Sequence, residues 1–218
     1  MMYVMTSGQA PAGERAYDDV KQRIISGDLA GGELISEGEV ADRLGVSRTP
    51  VREAFLRLQS EGFMRLYPKR GALITPIEHG ESRDVLEARA LVETRSVERV
   101  TADPERTAAL VATLEERLAT QLAEAKKGGG ESYARADVDF HAAIVEASGN
   151  IVLRQFYGTL RDRQLRMIAA SVPVGGRRTE EVAEQHRGLL EAIRERDAAR
   201  FAALLQEHFD EVYRNNAR

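Results

Sequence analysis

The chain has 218 residues, 43% hydrophobic and 30% charged, with no cysteine and a formal net charge of −4. That length allows one large domain or two small ones, and the missing cysteine excludes disulfides, thiolate metal sites and cysteine nucleophiles together. The composition fits a reducing cytoplasm, and no apolar run approaches the roughly 18–20 residues of a membrane span.

Residues 1–13 lack the basic start and long apolar core of a signal peptide and read as a flexible tail. Tyr17, Val20, Ile24 and Ile25 then recur at helical spacing, with Gly27 able to close the helix. Ser36 and Glu39 form a capping-box pattern for a short second helix that stops at Gly45. Ser47 is the expected N-cap of a third helix, with Pro50 in its first turn, where the backbone donor is not needed. Val51, Ala54, Phe55 and Leu58 make the buried stripe of that helix. Arg48 and Arg52 lie one turn apart and about a quarter turn from the stripe. Phe63 to Tyr67 and Ala72 to Thr75 flank the turn Pro68-Lys69-Arg70-Gly71 and predict a hairpin. The order predicts a winged helix-turn-helix over residues 14–75. Residues 76–80 interrupt the pattern as a linker.

Between Arg43 and Arg70 stand seven basic residues against two acidic ones. A local basic footprint on an acidic chain suits a DNA-reading module joined to an acidic partner domain. Helices in the major groove read base edges with residues near their N-termini, and arginine matches guanine best. Arg48 and Arg52 are the candidates for base readout. Ser47 and Thr49 suit phosphate contacts, and Lys69 and Arg70 with Gly71 form a wing tip suited to a minor groove.

From residue 81 to the end the pattern is helical, in six segments: 81–99, 104–127, 131–147, 151–170, 179–196 and 197–215. The breaks are Asp103-Pro104, Gly128-Gly129-Gly130, Ser148-Gly149-Asn150, Pro173-Val174-Gly175-Gly176 and a tight turn near Asp197. Short connections predict an antiparallel bundle, so the whole chain is mainly α. Of the four histidines, His79 falls in the linker. His141, His186 and His208 each sit on an apolar helical face, on three different segments. Asp137 precedes His141 by one turn. Three imidazoles and a carboxylate can hold a divalent ion with positions left open; three separately satisfied core histidines are the bland alternative. Asp139 is a competing carboxylate on another face.

The run Glu37-x-Glu39-Val40-Ala41-x-x-Leu44-Gly45-Val46-Ser47-Arg48-Thr49-Pro50-Val51-Arg52-Glu53-Ala54, followed by Arg57-Leu58, Glu61-Gly62 and Arg70-Gly71, resembles the GntR family of bacterial transcription regulators. The resemblance implies a homodimer on a pseudo-palindromic DNA operator, usually as a repressor, with Arg48 and Arg52 in the DNA-reading positions. Gly38 departs from family members that carry a DNA-contacting arginine there. Asp137-x-x-Phe140-His141-x-x-Ile144, Ser148-Gly149-Asn150, Glu184-Gln185-His186 and His208-Phe209 resemble the FCD effector domain of the FadR-like branch. Six helices point to its VanR-like version. This second resemblance implies a metal held by Asp137, His141, His186 and His208, with zinc first and nickel or manganese as alternatives. It also implies a small carboxylate effector anchored by a cation. Arg89 is the preferred anchor, since many relatives carry an arginine near this point of the first bundle helix; Arg161 and Arg166 are the other choices. Two different readings stand beside this one. The chain could be a metal-dependent hydrolase fused to a DNA-binding domain, with Glu146 or Glu184 as base, or a regulator whose metal site is purely structural.

Overall fold

The structure, a computed structural model, describes residues 10–77, 79–128, 130–171 and 177–216. The expected tail therefore lies outside the described residues up to Gln9, as do the expected breaks at Gly129 and over 173–176. The chain forms two compact units, Met1–Pro76 and Ile77–Arg218.

The first unit runs α1 (Ala12–Ser26), β1 (Leu34–Ile35), α2 (Glu37–Leu44), α3 (Arg48–Ser60), β2 (Met64–Tyr67) and β3 (Gly71–Ile74). Helix α1 starts inside the stretch read as a tail, with Pro11 ahead of it, and ends on Gly27 in the left-handed conformation. The capping box forms at α2: the Ser36 hydroxyl accepts from the Glu39 amide and the Glu39 carboxylate accepts from the Ser36 amide. Ser47 occupies the N-cap position of α3, but its side chain makes no capping bond. This corrects the expectation of a side-chain cap and leaves the hydroxyl exposed. The sheet order is β1-β3-β2, all antiparallel. β1 is unpredicted because two residues are too few to show a period. It constrains the wing: a Cβ on Gly71, whose φ is 99°, would stand 2.3 Å from the Ile35 carbonyl oxygen.

The second unit runs α4 (His79–Thr101), α5 (Pro104–Lys126), α6 (Glu131–Ala147), α7 (Ile151–Ser171), α8 (Arg177–Arg194) and α9 (Ala198–Asn216). Helix α4 starts within the stretch read as a linker. Asp103 caps α5 by accepting from the Glu105 and Arg106 amides, and Asn150 does the same for Val152 and Leu153 of α7. These polar caps explain why the breaks were readable. Leu114, Phe140, Ile144, Leu189, Phe201 and Phe209 belong to one buried core. Helix α6 lies against α4, α5 and α7, while α8 joins α5 and α9. Inward-facing side chains of α4, α5, α6, α8 and α9 therefore meet in one interior.

Candidate functional site

On the first unit, Val51, Ala54, Phe55 and Leu58 bury one face of α3. Ser47, Arg48, Thr49 and Arg52 remain exposed at its start, and Lys69 and Arg70 are exposed at the wing tip. A cleft of about 710 Å³ between α3 and the wing is lined by Arg48, Arg52, Lys69 and Arg70 among others. Lys69 adopts φ 63°, a left-handed conformation uncommon for a residue with a Cβ. Two basic residues of the expected footprint serve the fold instead. Arg43 pairs with Asp19 at 2.5 Å. Arg57 lies 3.6 Å over the Tyr17 ring and 3.2 Å from Glu61. Glu61 also accepts from the Tyr17 hydroxyl at 2.7 Å and the Lys21 ammonium at 2.9 Å, so this cluster ties α1 to α3. Gly38 has a structural role that sequence reading missed. A Cβ there would come 3.3 Å from the Arg48 guanidinium, so the absent side chain gives Arg48 its place against α2.

In the second unit, His141 of α6, His186 of α8 and His208 of α9 come together, with one ring nitrogen of each within 4.8 Å of the others. All three are at most 3% exposed. Every Nδ1 faces an oxygen at 2.7 Å: His141 the Glu93 carboxylate, His186 the Gln121 side-chain carbonyl and His208 the Gln185 side-chain carbonyl. Each oxygen accepts a hydrogen bond from Nδ1–H, which assigns the tautomer and leaves the Nε2 lone pair bare. His141 Nε2 and His186 Nε2 then face each other at 3.1 Å. Two acceptors at that separation repel unless a cation or proton stands between them. The distance matches two nitrogens about 2.0–2.1 Å from a shared ion. Burial depresses the pKa of all three imidazoles, assisted by the nearby Arg89 charge. They are therefore neutral, the form that binds metal.

Asp137 stands beside this set rather than within it, with Oδ1 3.6 Å from His186 Nε2. The Gln121 amide nitrogen donates to that oxygen at 3.0 Å, so one α5 side chain orients both Asp137 and His186. Burial pushes the Asp137 carboxyl up to about 6, opposed by Arg89. Asp139 points elsewhere and pairs with Arg161 at 2.7 Å. Arg89 is buried beneath the imidazoles. Its Nε donates to Glu93 at 3.0 Å and to the Tyr157 hydroxyl at 3.2 Å, and its guanidinium lies over Phe209. Burial opposes its charge, but Tyr157, Glu93 and Asp137 hold it protonated. Arg161 is committed to Asp139 at the surface, and Arg166 is bonded as well.

Sequence reading gave no role to Glu93, Gln121, Gln185 or Tyr157. Gln185 stood beside His186 in the quoted motif and Glu93 one turn after Arg89, while Gln121 and Tyr157 left no local trace. The hydrolase reading loses its proposed bases: Glu146 and Glu184 are mostly exposed and pair with Arg154 and Arg187 at the surface.

A winged helix-turn-helix head joined to a helical unit defines a two-unit type of DNA-binding protein. Comparison with known proteins agrees. Residues 12–74 match the model "Bacterial regulatory proteins, gntR family" and residues 84–211 match the FCD domain. The chain belongs to the GntR family of transcription regulators, with an FCD domain. It is 29% identical to the gluconate operon transcriptional repressor of Bacillus subtilis, over 94% of this chain and 84% of the relative. It is 33% identical to the Nta operon transcriptional regulator of Aminobacter aminovorans, over 83% and 85%. Escherichia coli McbR/YncC shares the fold at a TM-score of 0.72 and 22% identity, covering 93% of this chain and 95% of that one. No helix among the described residues is long and apolar enough to cross a membrane.

Proposed function

We propose that this regulator is a homodimeric repressor whose FCD domain binds a divalent ion and a small carboxylate effector. His141, His186 and His208 hold the ion, with Asp137 as the carboxylate beside them, and zinc suits the nitrogen-rich donors best. The observation that carries the reading is the trio of Nδ1–oxygen bonds, which leaves Nε2 free on three imidazoles whose ring nitrogens lie within 4.8 Å of one another. Separately satisfied core histidines would not need their second nitrogens to converge. A bound ion supplies open Lewis-acid positions for a carboxylate. Arg89 supplies the cationic anchor from below. The Bacillus relative's name refers to a gluconate operon, which agrees with a carboxylate signal.

In the DNA-binding unit, Arg48 and Arg52 read bases, Ser47 and Thr49 hold phosphates, and Lys69 and Arg70, carried past Gly71, enter the adjacent groove. A single head with so few base contacts gives weak specificity, which favours two heads on a pseudo-palindromic operator. Induction requires the effector to bind the operator-incompetent state more tightly, since equal affinity shifts nothing. The test is elemental analysis of untagged protein purified without chelator, beside His186→Ala, with operator release by carboxylates measured on both. About one ion per chain in the wild type, lost in the variant with a blunted release, is expected. Full release by a metal-free variant would remove the ion from the switch.

A further inference from the structure

Helix α2 carries a glycine that its backbone does not require. Gly38 is the second residue of the helix, and its φ lies outside the left-handed region. Most other residues at that place would favour the helix, since glycine loses more freedom on folding. The reason for glycine is therefore sought in the space its missing side chain leaves. At Gly13, Gly80, Gly158 and Gly188, also within helices, an added Cβ would meet nothing closer than 3.7 Å. At Gly38 the Arg48 guanidinium occupies the space: Nη2, Cζ and Nε lie 3.3, 3.6 and 3.7 Å from where the Cβ would stand. Alanine would press on Nη2. A longer side chain would contend with the guanidinium for one volume.

Arg48 makes no hydrogen bond or ion pair with any described residue. This sets it apart from Arg43 and Arg57, which are paired within the head. Its donors are open to DNA, and contact with Gly38 is what gives the side chain its place. Both residues line the cleft between α3 and the wing, together with Arg52 and Lys69. An arginine placed before binding loses less affinity to ordering, and a bidentate contact to a base tolerates little change of direction.

We infer that Gly38 is a positioning residue for operator specificity. It leaves Arg48 the space beside the start of α2, and so confines the guanidinium to one orientation and one base pair in each half-site. The inference rests on Arg48 as a base-reading residue.

The test begins with the full chain selecting its preferred duplex from random-sequence DNA. Affinities for that site and for its single base-pair variants are then measured with the wild type, Gly38→Ala, Gly38→Gln, Arg48→Ala and the double variant of Gly38→Gln with Arg48→Ala. Glutamine suits a helix and adds no charge that would attract phosphates. Arg48→Ala should lower discrimination at one base pair of the half-site by about tenfold or more. Gly38→Gln should lower it at the same base pair, and should add no loss once residue 48 is alanine. Gly38→Ala should fall between the wild type and Gly38→Gln. Discrimination at the base pair read by Arg52 should persist, and the melting temperature should hold or rise. Full discrimination by Gly38→Gln, or a loss at all base pairs alike with a lower melting temperature, overturns the positioning role and leaves Arg48 a base reader. A further loss in the double variant also overturns it, by showing that residue 38 acts without Arg48. Unchanged discrimination by Arg48→Ala overturns the reading on which the inference rests.

Discussion

Glu61 shows how one side chain couples the head to pH. Burial pushes its carboxyl up, but the Tyr17 hydroxyl, Lys21 and Arg57 outweigh that and hold it below the ordinary value of 4.5. A carboxylate whose folded pKa is lowered stabilises the fold above its unfolded pKa and loses that contribution as pH falls through the folded one. The melting temperature of the head should therefore fall on acidification below about pH 4.5. Glu61→Gln, which retains an acceptor for Tyr17, should flatten that fall. A variant as acid-sensitive as the wild type would assign the loss to other groups. Tyr17 and Glu61 are 44 residues apart, so no local pattern displays the pair. The same holds at the histidine centre. Its imidazoles were readable because each interrupts an apolar stripe. Gln121, 65 residues from His186, was not, because a glutamine on a long helix resembles any solvated position.

At the scale of elements, helix ends and the β2–β3 hairpin were legible and β1 was not. Ser36, Gly45, Asp103 and Asn150 announce boundaries through local side-chain or backbone chemistry. β1 is defined only by its partner, with Leu34 opposite Leu73 and Ile35 opposite Ala72. That pairing fixes what residue 71 can be. Gly71→Ala should destabilise the head by roughly 2 kcal/mol or more, through both positive φ and contact with backbone that cannot yield. Thermal melting of the variant checks this. A loss below about 0.5 kcal/mol would mean that β1 is not held against the wing. The basic footprint was half legible. Charge alone did not separate Arg43 and Arg57, which bind Asp19 and the Tyr17 cluster, from Arg48 and Arg52 at the start of α3.

For the whole molecule, the two units bury separate cores, and the histidine centre lies entirely in the second. An ion that binds only the folded bundle stabilises that unit by mass action. In scanning calorimetry of the full chain, chelator should lower the transition of the bundle by several degrees and leave the head transition in place. His186→Ala should start from the lower value and not respond. A chelator effect on the head alone would contradict the assignment of the ion to the bundle.

The left-handed Lys69 at the wing tip carries an evolutionary consequence. A lysine in that conformation is strained by about 1 kcal/mol, which glycine would relieve. Lys69→Gly should give a head that melts later and binds its operator more weakly, with the salt dependence of binding reduced by about one phosphate contact. If thermal tolerance rather than operator occupancy were selected, this would be among the first positions to change. Adaptation to heat and adaptation to a weak operator would then pull one residue in opposite directions.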